Sequence, residues 1–225
     1  MPTLTVKSDR EIQEDVLLEL RWDTRIGQAE VGVEVDDGIV TLTGTVDSWA
    51  KKLAAKEAAH RVAGVRDVAD DVRVKLPGSL GRTDTEIAKD VRSALEWDVL
   101  VPDKDIRSTV AEGLVALEGQ VRTLRQKEDA ANAIRGIRGV RGVTNWLTVE
   151  PVKADPNQLR KSIEQALERR AEREAERIEV SVRDGVVTLK GRVRTWPEKQ
   201  AIMGAVSHAP GVRQVSDQLF VRPWE

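Results

Sequence analysis

The sequence predicts an α+β protein built three times over: three tandem αββαβ units, each with two helices packed on one face of a three-stranded sheet. Three observations carry this expectation. The segment DGIVTLTGTV beginning at Asp37 returns as EGLVALEGQV from Glu112 and as DGVVTLKGRV from Asp184, at intervals of 75 and then 72 residues. Around each copy the apolar residues change from a helical to a strand period and back. Only 3% of the 225 residues are aromatic (six Trp, one Phe, no Tyr), which suits several small cores of Val, Leu, Ile and Ala better than one large core. A length prior of roughly 100–200 residues per domain gives one or two domains, and the internal repetition overrides it.

Each unit opens on a helix with apolar positions at i, i+4 and i+8: Ile12, Val16 and Leu20, then Ile87, Val91 and Leu95, then Leu159, Ile163 and Leu167. Alternation at Val31, Val33 and Val35 reads as a half-buried strand. The pairs Asp37-Gly38, Glu112-Gly113 and Asp184-Gly185 close a hairpin, because glycine tolerates positive φ. On the second strand Val40, Leu42 and Val46 share one face. Gly44, and its counterparts Gly119 and Gly191, mark a bulge or a close approach of another backbone, expected from the packing helix. The second helix opens at Ser48, Thr123 and Thr195, with Gln126 and Glu198 completing a capping box in the second and third copies. Its buried stripe is small: Ala55, Ala58, Ala59 and Val62 in the first copy; Ile202, Ala205 and Val206 in the third. It stops at Gly64-Val65, Gly139-Val140 and Gly211-Val212, before a last strand carrying Val68, Val72 and Val74. The units therefore run 9–76, 84–150 and 157–222, with turn-rich linkers at 77–83 and 151–156.

The pattern D/E-G-x-V-x-L-x-G-x-V, followed by G-V and a D/N-bearing strand, resembles the BON domain, named for bacterial osmotically inducible and nodulation proteins. The resemblance covers all three units. Asp70, Asn145 and Asp217 occupy the family's polar position in the last strand. Together with the linker KLPGSLGRTD, the three copies resemble a soluble bacterial subgroup. The resemblance implies binding to phospholipid surfaces in osmotic or envelope stress, and no catalytic residues. One family branch pairs the domain with another module and binds potassium, which leaves ion or osmolyte sensing as an alternative. A protein-interaction scaffold using the open sheet faces is the other.

Composition removes most chemistry. There is no cysteine, hence no disulfide and no thiolate metal site or nucleophile. His60 and His208, the two histidines, are not repeat-equivalent and have no partnered constellation, so neither a catalytic nor a metal site is expected. Asp36-Asp37 and Asp70-Asp71 lack the oxygen-ligand spacing of a calcium loop. Gly136-Ile137-Arg138-Gly139 spells the G-x-x-G of a nucleic-acid clamp, but it falls where every copy ends its second helix. No cofactor and no nucleic acid are expected. The N-terminus lacks a basic and apolar leader, and no window approaches ~18 consecutive apolar residues. The expectation is a soluble cytoplasmic protein, or a periplasmic one had a leader been removed.

Charge is graded along the chain. Residues 9–76 carry 10 basic and 15 acidic groups, 84–150 carry 10 and 12, and 157–222 carry 13 and 9. In the basic third unit Lys190, Arg192 and Arg194 alternate with Leu189, Gly191 and Val193, so they should project from the open sheet face. Arg183, Phe220 and Arg222 should share that face. A basic stripe beside an exposed ring suits anionic headgroups, at about 1 kcal/mol per Lys or Arg near a charged surface. Trp22 and Trp97, ending the first helix, and Trp49 and Trp196, opening the second, are expected to pack over core edges, with Trp146 facing outward. Lys52, Lys127 and Lys199 recur at one helix position and read as exposed. The run ERRAEREAER at 168–177 reads as extra helical turns laced with ion pairs, a departure from the family pattern.

Overall fold

The structure, a computed structural model, describes residues 7–26, 30–75, 82–151, 155–170 and 178–221. The first repeat contains α1 (Asp9–Trp22), β1 (Glu30–Asp36), β2 (Ile39–Val46), α2 (Trp49–Arg61) and β3 (Asp67–Val74). The second contains α3 (Asp84–Trp97), β4 (Ile106–Ala111), β5 (Leu114–Val121), α4 (Leu124–Ile134), β6 (Gly142–Asn145) and β7 (Thr148–Val149). The third contains α5 (Pro156–Arg170), β8 (Ile178–Arg183), β9 (Val186–Val193), α6 (Trp196–Ser207) and β10 (Gln214–Val221). The protein is thus a tandem αββαβ chain of the α+β class. Of the run at 168–177, helix α5 takes in the first three residues, and 171–177 lie outside the described residues.

In each repeat the hairpin's second strand is central: the orders are β1-β2-β3, β4-β5-β6 with β7 also on β5, and β10-β9-β8. The hairpins are antiparallel, and β3 and β6 return parallel to the central strand. The helices explain that return, because a parallel neighbour needs a crossover long enough to hold one. The described residues group into two compact units, one holding those that fall within 1–77, 192–200 and 219–225, the other those within 78–191 and 201–218.

Apolar side chains at the expected positions fill the cores. Ile12, Val16 and Leu20 of α1 meet Val40, Leu42 and Val46 of β2, and the alanines Ala54, Ala55, Ala58 and Ala59 bring α2 against the same cluster. In the later repeats Ile87, Val91 and Leu95, and Leu159, Ile163 and Leu167, are likewise buried. Complete capping boxes close α1 at Ser8 and Glu11 and α3 at Thr83 and Glu86, where no box was expected. Ahead of α4 and α6 the carboxamide of Gln126 and the carboxylate of Glu198 instead accept from the backbone of Arg122 and Arg194, one residue before the cap.

Two glycine positions are dictated by geometry. At the hairpin turns both central residues have positive φ, 46° and 72° at Asp37 and Gly38, 50° and 76° at Glu112 and Gly113, 49° and 77° at Asp184 and Gly185. That is the type I′ pattern, whose twist matches the strands it joins. Gly119, on the central strand, has φ 134°, and a Cβ there would stand 2.1 Å from the carbonyl oxygen of Asp105. The close approach is to the chain entering the paired strand β4, which corrects the expectation of a helix. Replacing Gly119→Ala should therefore cost about 2–4 kcal/mol in denaturant unfolding, through clash and backbone strain together. Gly136→Ala, with nothing within 4 Å of the added carbon, should change stability by less than about 0.5 kcal/mol.

Candidate functional site

Strand parity sorts the third repeat's side chains. On β9 Val187, Leu189 and Val193 are buried, while Lys190 and Arg192 are exposed on the opposite face, and Arg194, exposed too, follows the strand's end. On β8 Val180 is buried and Arg183 exposed; on β10 Leu219 and Val221 are buried and Phe220 is 48% exposed. Arg222 lies outside the described residues. In the unit holding residues 192–200 and 219–225, the Arg192 guanidinium stands 5.9 Å from the Phe220 ring centroid, a loose cation–π pair. In the other unit Lys190 lies opposite Glu179 and Arg183 opposite Val186 in the β8–β9 register. An acidic neighbour therefore tempers the stripe at Lys190, a detail that strand alternation alone does not reveal. The equivalent positions are Thr43, Thr45 and Asp47 in the first repeat and Glu118, Gln120 and Arg122 in the second. Neither carries such a stripe.

The recurrent lysines are not exposed. Lys52 is half-buried and donates to the carbonyl of Val72 at 2.6 Å, with Asp70 3.4 Å away. Lys199 donates in the same way to Leu219 at 2.7 Å. In the second repeat the roles shift: the Asn145 amide donates to the carbonyl of Lys127 at 2.7 Å. Asp70 and Asn145 also accept from the backbone two residues on, at Val72 and Leu147. The polar position of the last strand is thus a clasp between strand and helix.

Trp22 and Trp97 do not pack over core edges; they are 77% and 83% exposed. Each stands two residues beyond the last inward position of its helix, Leu20 or Leu95, about 200° round the axis. Ile26 and Val101 fill the edge instead. After Trp97 the exposed Val99 and Leu100 extend an apolar surface, readable in the sequence only as an apolar loop. Trp146 faces outward as expected, and its own N–H bonds Leu117 where the strand breaks between β6 and β7. Trp49 and Trp196 are half-buried, with Lys52 and Lys199 6.0 and 4.9 Å from their ring centroids. His60 stacks on Trp196 at 3.9 Å, a pairing that residues so far apart in sequence do not announce.

Among the described residues no group of three or more His, Asp or Glu could hold a metal ion. Asp37 pairs with Arg66 at 2.6 Å. Glu128, on α4, is pushed above the ordinary carboxylate range by burial and stands within reach of Ser207. Arg125 contacts both Asp129 and the His208 ring. The G-x-x-G at 136–139 follows the end of α4, where the N–H groups of Ile137 and Val140 close successive turns. Among the described residues no helix is long and apolar enough to cross a membrane.

Comparison with known proteins agrees with the repeat analysis. The model of the BON domain matches residues 8–75, 83–151 and 155–223. Osmotically-inducible protein Y of Escherichia coli (strain K12) is 29% identical over 126 residues, which are 53% of this chain and 62% of that protein. The alignment therefore spans less than two thirds of that relative's length. Two solved chains of CdsD, a structural protein of the Type III secretion system of Chlamydia trachomatis, are 16% and 14% identical. Each match covers 96% of this chain and 94% or 100% of the other, but the TM-scores of 0.28 and 0.27 are too low to carry any argument.

The clasp and the exposed tryptophan should separate in a stability measurement. Lys52→Ala removes a charge-assisted bond to a strand carbonyl and should cost about 1–3 kcal/mol in denaturant unfolding. Trp97→Ser, at a site that buries little, should stay within about 0.5 kcal/mol of the parent.

Proposed function

The chain belongs to the BON domain family, and from that membership we propose that it is a non-enzymatic, stress-associated binding protein that docks peripherally on anionic phospholipid surfaces. The observation that carries the reading is the outward face of β9 and the residue just past its end, where Lys190, Arg192 and Arg194 stand exposed in the one repeat of net positive charge. Arg192 beside Phe220 adds a ring that an interfacial headgroup layer accommodates. The name of the relative, osmotically inducible, supports the association with stress. Three modules, taken as 9–76, 84–150 and 157–222, would act together, because linked weak contacts raise the effective concentration of the next. No step of the proposal needs a catalytic residue, a metal or a cofactor.

A second reading rests on the second repeat. Its outward-facing Leu114 and Trp146 are 56% and 60% exposed, and no basic stripe accompanies them. Such a surface suits a protein partner better than a charged bilayer, and it supports a scaffold role for that repeat.

Co-sedimentation with vesicles tests the main reading. Binding should be clear with phosphatidylglycerol-containing vesicles and weak with phosphatidylcholine alone. The triple variant Lys190→Gln, Arg192→Gln, Arg194→Gln should lose about 3 kcal/mol, on the order of 100-fold in affinity. Equal binding to both vesicle types, or an unchanged triple variant, would remove the basis of the proposal.

A further inference from the structure

Trp196 belongs to the third repeat, yet its indole is seated on the first. Both stretches fall within one compact unit. The ring stacks on His60 with centroids 3.9 Å apart and planes 9° from parallel. Its Nε1–H donates to the carbonyl of Arg66 at 3.2 Å, and the side chain packs against the first repeat's apolar cluster. A buried indole N–H usually finds a hydrogen-bond partner, and here the first repeat supplies it.

His60 occupies the end of α2, and its Nε2 is buried with no hydrogen-bond partner among the described residues. Burial pushes its pKa down to about 4. Lys56 on its own helix and Lys199 on α6 oppose an imidazolium there, while Asp67 at the start of β3 favours it. A charged imidazole would gain a cation–π attraction to the indole. It would nonetheless share a half-buried place with the Lys199 ammonium, already 4.9 Å from the same ring.

We propose that Trp196 and His60 form a proton-sensitive latch, in which the first repeat holds the third through a neutral imidazole–indole stack and releases it when His60 takes a proton. The latch goes beyond the lipid reading and does not depend on it. The docked state resists the proton, whereas a released His60 accepts it near the ordinary 6.5. Docking is therefore at full strength above about pH 6.5, weakens as the pH falls, and levels off below about 4. Each unit of difference between the two pKa values is worth tenfold, so the whole interval changes the docking equilibrium on the order of 100-fold.

NMR of the full chain tests this, with His208→Gln assigning the two imidazole signals. His60 should titrate near 4, and a nuclear Overhauser effect should join its ring protons to the Trp196 indole at pH 7. That cross-peak should fade through the titration of His60 while cross-peaks within the first repeat's core persist. In Trp196→Ala the His60 midpoint should rise toward 6.5, and in Trp196→Phe, which keeps a ring but loses the donor to Arg66, it should fall between. A His60 midpoint near 6.5 in the parent chain, or no cross-peak at pH 7, overturns the latch without recourse to any variant. So does a cross-peak that survives the protonation of His60.

Discussion

A two-residue turn with positive φ at both central positions fixes the parity of the strands in every repeat. At Asp37-Gly38, Glu112-Gly113 and Asp184-Gly185 the turn admits little but glycine at its second place, and the N–H of Arg66, Arg141 or Arg213, the residue just ahead of the last strand, donates to that glycine's carbonyl at 2.8 Å. In two repeats the N-terminal carboxylate of the first helix grips the same turn. Asp9 accepts from Asp37 and Gly38, and Asp84 from Glu112 and Gly113. Pro156 stands at the equivalent place in the third repeat and offers no carboxylate. One small piece of backbone thus ties together helix, hairpin and last strand. A slip of one residue would carry Val187, Leu189 and Val193 to the surface and bury Lys190 and Arg192.

This constraint separates scaffold from variation. The inward positions repeat with little change, since a core of Val, Leu, Ile and Ala has few ways to fill so small a volume. The outward positions are free of that demand, and they differ: Thr41, Thr43 and Thr45 in the first repeat, Ala116, Glu118 and Gln120 in the second, Thr188, Lys190 and Arg192 in the third. Function is written where packing does not decide the residue. The graded charge of the three repeats follows from the same freedom, and the proposed contact with anionic lipid draws on its basic end.

The repeats, their helices and strands, and the inward or outward sense of nearly every strand residue were legible from periodicity, because a period of two or 3.6 is a direct consequence of backbone geometry. Interactions that link distant residues were not. Trp22 and Trp97 read as edge packing by residue type, although their angular position past Leu20 and Leu95 already points away from the core. The lysines at 52 and 199 look like solvent residues until the last strand's carbonyls are in place. Gly119 announces a close approach but not its partner, which is the carbonyl of Asp105. His60 and Trp196 are the extreme case, since their stack depends on tertiary placement alone. Of the candidate face, alternation identified which side chains share a side, but not the Glu179 opposite Lys190.

Because the chain has no cysteine, a single spin label can report which surface meets a bilayer. Ser181 lies exposed on the sheet side of the third repeat, at the outward parity of β8, and Ser162 lies exposed on helix α5. With labels at Ser181→Cys and Ser162→Cys in turn, collision with a water-soluble relaxant is measured before and after adding phosphatidylglycerol vesicles. Lipid docking through the sheet face predicts that the label at 181 becomes shielded while the label at 162 stays accessible. Equal accessibility at both sites with vesicle-bound protein, or shielding at 162 alone, would contradict it.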